Sequence, residues 1–157
     1  MSKEKNNRSH FFLKTFMPLL ARGPDHIRAA KAIPLLLQLA IKQKTITYGE
    51  LAAKLNLGNP RHVVRVLSLA SHIIENFYGP QAPDICALVV SSVTGIPGDG
   101  YARDCPDKDF PVNKDSYPLL PLAAKRQIMA DQQAKVFAFA RWPELLGLAN
   151  DFNKYYT

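Results

Sequence analysis

Between Ile27 and Lys42 the apolar residues recur at helical spacing. Ile33, Leu36, Leu37, Ala40 and Ile41 fall on one face of a 3.6-residue repeat. Pro34 suits the first turn of a helix, so the well-formed part is expected from about Ala32, with Lys42 and Lys44 at its negative pole. Asp25, after the Arg22-Gly23-Pro24 turn, is a candidate cap. Thr47-Tyr48-Gly49-Glu50 is a capping box: the Thr47 hydroxyl caps a helix and Glu50 reaches back to the Thr47 backbone. That helix is expected to bury Leu51, Ala52 and Leu55 and to stop at Leu57-Gly58. Asn59 then caps a second helix opened by Pro60, with Val63, Val64, Leu67, Ala70 and Ile74 as its core face.

After the break at Gly79-Pro80, the run Ile85–Val93 is short, apolar and β-branched, which predicts a buried strand. The glycine-rich segment 93–100 follows. No Gly-Lys-Ser/Thr follows to make it a phosphate loop, and its glycines suit a hairpin tip or close backbone approach to a ligand. Residues 102–117 read as a polar loop. A helix is expected after Pro121, and another opened by Pro143, with Phe137, Phe139 and Trp142 as core anchors. The predicted class is α+β and mainly helical, with a helix-turn-helix, winged-helix-like core and a short β hairpin. The expected organisation is an N-terminal extension (1–24) packing through Phe11, Phe12 and Phe16, a winged-helix-like domain (25–101), and a loop with a C-terminal helical extension (102–157).

Charge sharpens this picture. Twenty Lys+Arg against 13 Asp+Glu give a net charge of +7, an excess that fits nucleic acid as a partner. The apolar run from Ile33 to Ile41 is far shorter than the ~20 residues of a membrane span, and the polar start predicts no signal peptide. With only Cys86 and Cys105, no disulfide framework is expected, and the expected setting is cytoplasmic.

Arg61, His62, Arg65 and Ser68 fall on the polar side of the second helix, where a helix-turn-helix reaches base edges and phosphates. Two arginines near a helix N-terminus oppose the helix dipole, a cost that points to function. Asp104, Asp107, Asp109 and Asp115 lack calcium-loop spacing, and the four histidines lack metal spacing, so no metal or other cofactor is expected.

The words Thr47-Tyr48-Gly49-Glu50-Leu51-Ala52, Gly58-Asn59-Pro60-Arg61 and Ile85-Cys86-Ala87-Leu88-Val89-Val90 resemble the DNA-binding domain of alkylguanine-DNA alkyltransferases and their non-enzymatic, alkyltransferase-like relatives. The resemblance covers Thr47 to Gly100, about a third of the chain. It implies that Tyr48 contacts the phosphate of a target nucleotide and that Arg61 touches the backbone. It also implies that Arg65, one residue later than the family spacing, stands near the arginine that enters the duplex. Cys86 falls at the alkyl-accepting position, but Asp84-Ile85 replaces the proline context and Ala87-Leu88 replaces His-Arg. Without that histidine, alkyl transfer is not expected. The expectation is therefore a non-enzymatic protein that binds duplex DNA through Tyr48, Arg61, His62, Arg65, Ser68, Gly98 and Gly100. The alternative is a protein-interaction module, either a homodimer or a docking subunit of a nucleic-acid-processing or phage-defence complex.

Overall fold

The computed structural model describes residues 23–104 and 109–156, with side chains described as far as Asp151. The expected extension through Phe11, Phe12 and Phe16 lies outside these residues, as do Cys105 and Asp107.

Helix α1 spans Pro24–Lys42, starting eight residues before the point that Pro34 suggested. Pro24 occupies its first turn, where a missing N–H costs nothing. Pro34 lies inside the helix and is buried. An internal proline removes one backbone hydrogen bond, and here the apolar face outweighs the loss. Ala29, Ala30, Ile33, Leu36 and Leu37 are all at 0% exposure. Ile41 falls off that face and is 44% exposed. Asp25 is not the cap: Gly23 holds that position without a side-chain bond, and the Asp25 carboxylate faces Arg28 and Arg65.

Strand β1 (Ile46–Thr47) feeds helix α2 (Tyr48–Lys54) through the expected capping box. Glu50 N–H donates to Thr47 Oγ1 at 3.1 Å, and Thr47 N–H donates to the Glu50 carboxylate at 3.3 Å. Asn59 accepts the Arg61 N–H at 3.0 Å, but what it caps is a 3₁₀ turn, Pro60–His62. Helix α3 (Val63–Tyr78) follows, burying Val63, Val66, Leu67, Ala70, Ile73 and Ile74. Val64, expected in the core, is 54% exposed. Val63, Leu67, Ala70 and Ile74 keep the expected phase; Val64, about 100° around the helix from Val63, turns off that face toward the cavity. Gly79, at φ 89°, ends α3.

The apolar run 85–93 is not a continuous strand. Asp84 accepts the Cys86 N–H at 3.0 Å and starts a 3₁₀ turn, Ile85–Leu88. Only Val89–Val90 (β2) is extended, pairing in parallel with β1 in the register Ile46↔Val89 and Thr47↔Val90. β1 is two residues long because Thr47 must already cap α2, so β2 has no further partner.

The expected β hairpin is absent among the described residues, whose one sheet is this parallel pair. Residues 91–96 instead close on themselves: Ser91 N–H donates to Ile96 O, and Gly95 N–H to Ser91 O, both at 2.9 Å. Gly95, at φ 73°, makes that turn possible. The polar loop expected from 102 begins later, because Gly100–Asp104 forms a short helix, α4.

Helix α5 (Leu122–Ala138) starts after Pro121, and α6 (Trp142–Tyr156) has Pro143 in its first turn. The aromatic anchors hold as expected. Trp142 is 1% exposed, donates its indole N–H to Val136 O at 2.8 Å, and packs against Phe139 and Tyr78. One core cluster includes α1, α2, α3, the 85–88 turn, β2 and buried residues of α5 and α6. A smaller cluster of Ile96, Ala102, Tyr117 and Met129 lies beneath the 91–96 turn and α4. No helix among the described residues is long and apolar enough to cross a membrane.

Candidate functional site

A pocket of about 520 Å³ opens between α3, the start of α2, the 84–86 turn and the Gly98–Asp104 segment. That volume lies in the range of small-molecule and nucleotide sites. One wall is a stripe along α3 and the turn before it: Arg61, Val64, Ser68, Ser71 and Glu75, at spacings of three and four. Opposite the buried stripe of the same helix, these residues face outward into the cavity.

Tyr48, at the first position of α2, enters from a second side. Its hydroxyl accepts the Gly98 N–H at 3.0 Å, joining the capped helix to the glycine segment across fifty positions of sequence. Burial pushes the Tyr48 phenol above its ordinary value; the Gly98 N–H offsets part of this, and nearby Cys86 adds to it. Tyr48 is thus a neutral hydroxyl at physiological pH, able to donate to an acceptor.

Asp84 and Cys86 form the inner side. One Asp84 oxygen accepts from the Cys86 N–H at 3.0 Å and from the Ser71 hydroxyl at 3.2 Å. Burial raises the Asp84 carboxyl above the usual range. These hydrogen bonds oppose the rise, and the nearby Glu75 carboxylate adds to it. The Cys86 thiol donates to Leu67 O at 3.5 Å.

The Gly98–Gly100 segment is tied from behind by α5. Lys125, whose side chain is 13% exposed, bonds Asp99 at 3.0 Å, and Arg126 donates to Thr94 O at 3.4 Å. Gly98 has room for a side chain: an added Cβ would stand 3.8 Å from the Tyr48 hydroxyl, an ordinary contact.

Of the residues expected from sequence, Tyr48, Arg61, Ser68, Gly98 and Gly100 line this pocket, as does Cys86. His62 and Arg65 are exposed and do not. Arg65 reaches across to α1, where its Nε lies 3.0 Å from the Asp25 carboxylate. Val64 takes the pocket-facing place that the helical phase gave to Arg65. Sequence reading missed Ser71, His72, Glu75, Asp84 and Tyr101 as lining residues. For Ser71 and Glu75 a signal existed, the polar stripe continuing from Arg61 at three- and four-residue steps. For Asp84 and Tyr101 none did, because only the fold brings them to α3.

Protein-family models, curated proteins and solved structures were all compared with this chain. None matches.

Proposed function

We propose that the protein is a non-enzymatic duplex-DNA-binding protein of the helix-turn-helix, alkyltransferase-like type. The supporting observation is the convergence of Tyr48, Arg61, Ser68, Gly98 and Gly100, from three separated parts of the chain, on one pocket beside an outward-facing helix. In this reading α2 and α3 serve as the helix pair, and the turn at 91–96 with Gly98–Gly100 takes the role of a wing. Arg61 and the Tyr48 hydroxyl supply a cation and a neutral donor for backbone phosphates, contacts that position a duplex without reading its sequence.

Charge supports the reading through the chain as a whole. Residues 1–22 hold five basic side chains against one acidic, so more than half of the +7 precedes the described residues. The surroundings of Cys86 support the absence of alkyl transfer. Its neighbours include the Leu67 carbonyl and the Asp84 carboxyl, both acceptors, whereas a reactive thiolate needs a positive or proton-relaying neighbour.

Fluorescence anisotropy with a labelled duplex tests the proposal. Arg61→Ala and Tyr48→Phe should each weaken binding severalfold, and Arg65→Ala less than either. Full-strength binding by Arg61→Ala and Tyr48→Phe together would remove this pocket from the interface. Capture of a protein after nuclease treatment, with no duplex binding, would favour a docking module instead.

A further inference from the structure

Seven of the ten residues at 11–20 are large and apolar, Phe11, Phe12 and Phe16 among them. Such side chains are costly to leave in water, and the stretch is too short to cross a membrane. The chain delivers them to an apolar cavity. Residues 1–22 enter α1 at Gly23, and Asp25, in its first turn, has its carboxylate 3.0 Å from Arg65 Nε on α3. The segment therefore joins the body of the protein beside α3, at the residue next to Val64. Val64 is 54% exposed on the pocket wall, and Pro60, Leu67, Tyr48 and Tyr101 line the same cavity of about 520 Å³. Side chains that fill such a cavity gain the free energy of apolar burial. Charge agrees at its far end. Glu75 lies near the C-terminus of α3, where an anion opposes the helix dipole, and among the described residues no basic side chain pairs with it. Lys14 is the one charged residue within 11–20. It stands nine residues before Gly23, a reach of about 14 Å if helical and about 30 Å if extended. From Arg65 to Glu75 α3 rises about 15 Å, so with its own length the lysine side chain reaches the acid either way.

We propose that residues 11–20 fold back along α3 and seat apolar side chains in this pocket, with Lys14 against Glu75. The segment is an internal plug, covering Val64 and Tyr48 until it leaves. The docking itself stands on the entry point beside Arg65, the apolar walls and the charge at the far end. Its consequence for DNA rests on the duplex-binding reading above. There the plug and the duplex compete for the surface around Tyr48 and Arg61. The apparent affinity for DNA is then the intrinsic affinity reduced by the fraction of protein that is open.

The test uses the full chain carrying Cys105→Ser. Cys86 lines the pocket, so its alkylation by iodoacetamide then reports whether the cavity is open. Phe12→Ser/Phe16→Ser, which keeps every basic residue of the segment, should speed alkylation by about tenfold or more, the change expected from losing the burial of one aromatic ring. Duplex affinity, read by anisotropy, should rise by the same factor, since both follow the open fraction. Val64→Asp, which alters the wall and leaves the segment intact, should also speed alkylation. A synthetic peptide of residues 8–22 should restore protection to the Phe12→Ser/Phe16→Ser protein and not to Val64→Asp, and thermal melts confirm that each variant is folded. Unchanged alkylation in both folded variants overturns the plug. Protection that is lost on dilution assigns the occupant to a second copy and overturns the internal contact. Faster alkylation with unchanged duplex affinity overturns the competition. Faster alkylation with no duplex bound by any of the proteins at low salt supports the plug and overturns the duplex reading.

Discussion

Helices α3 and α5 are nearly equal in length, 16 and 17 residues, yet they bury very different amounts. α3 buries seven residues on a continuous apolar stripe and turns a second, mostly polar stripe toward a cavity. α5 fully buries only Met129, Gln132 and Val136, with Ile128 and Phe137 partly buried against the core clusters, and it reaches its neighbours through polar side chains: Gln133 to Ala87 O, Lys125 to Asp99, Arg126 to Thr94 O. The comparison separates two ways of holding a site. α3 forms a wall because its other face is anchored in the core. α5 acts as a brace, reaching the glycine segment through long side chains without lining the pocket itself.

The core that anchors α3 should be the most sensitive element. Tyr78, at its C-terminal end, donates its hydroxyl to Arg141 O and accepts the Leu145 N–H, while Trp142 packs edge-to-face against its ring. Trp142→Ala is expected to cost about 3–5 kcal/mol in denaturant melts, the range for a fully buried aromatic. A loss under 1 kcal/mol would mean that α3 is held from elsewhere. Thr47→Ala, which removes the α2 cap, should cost about 1 kcal/mol and weaken duplex binding by displacing Tyr48.

The brace should respond the other way. Lys125→Met, losing the ion pair to half-exposed Asp99 and the cation–π contact with the Tyr117 ring but keeping an apolar stem, is expected to cost no more than about 1–2 kcal/mol. It should weaken duplex binding more than that change explains, since Asp99 sits between the pocket glycines. Equal losses in melt and binding would remove the distinction between wall and brace. Gly98→Ala sharpens the same point. Its backbone accepts a side chain, so melting should be unchanged, while binding falls if DNA backbone approaches there.

The smallest expected effect concerns Asp84. Its folded carboxyl is raised above the ordinary value, so the charged form is disfavoured in the native state. That penalty is fully present well above the folded value and vanishes below the ordinary Asp range near pH ~4. Asp84→Asn should therefore melt slightly higher than wild type at pH 7, and the difference should close as pH falls through that window. A difference that widens in acid would reverse the assigned direction.

What the sequence made legible follows the same division. The Thr47/Glu50 box and the proline starts of α5 and α6 are local signals found in place; the α3 stripe holds except at Val64, and Asn59 caps as expected but over a 3₁₀ turn, with α3 starting at Val63. Three expectations gave way where tertiary contacts decide. Burial on both sides carries α1 through Pro34. Val64, at the edge of the apolar face, turns to the cavity, while Arg65 is drawn to Asp25 on α1. The β-branched run at 85–93 has only a two-residue partner, so most of it coils. The pocket was half legible. Side chains on α2 and α3 could be assigned to a face, whereas Asp84 and Tyr101 arrive there only through the fold.

The salt dependence of duplex binding tests the central claim most directly. Each phosphate neutralised contributes about −0.9 to the slope of log K against log salt. The account predicts a slope steeper than about −1.8, corresponding to two or more contacts, and a slope shallower by nearly one phosphate in Arg61→Ala. Binding that ignores salt, or a slope unchanged by Arg61→Ala, would contradict it.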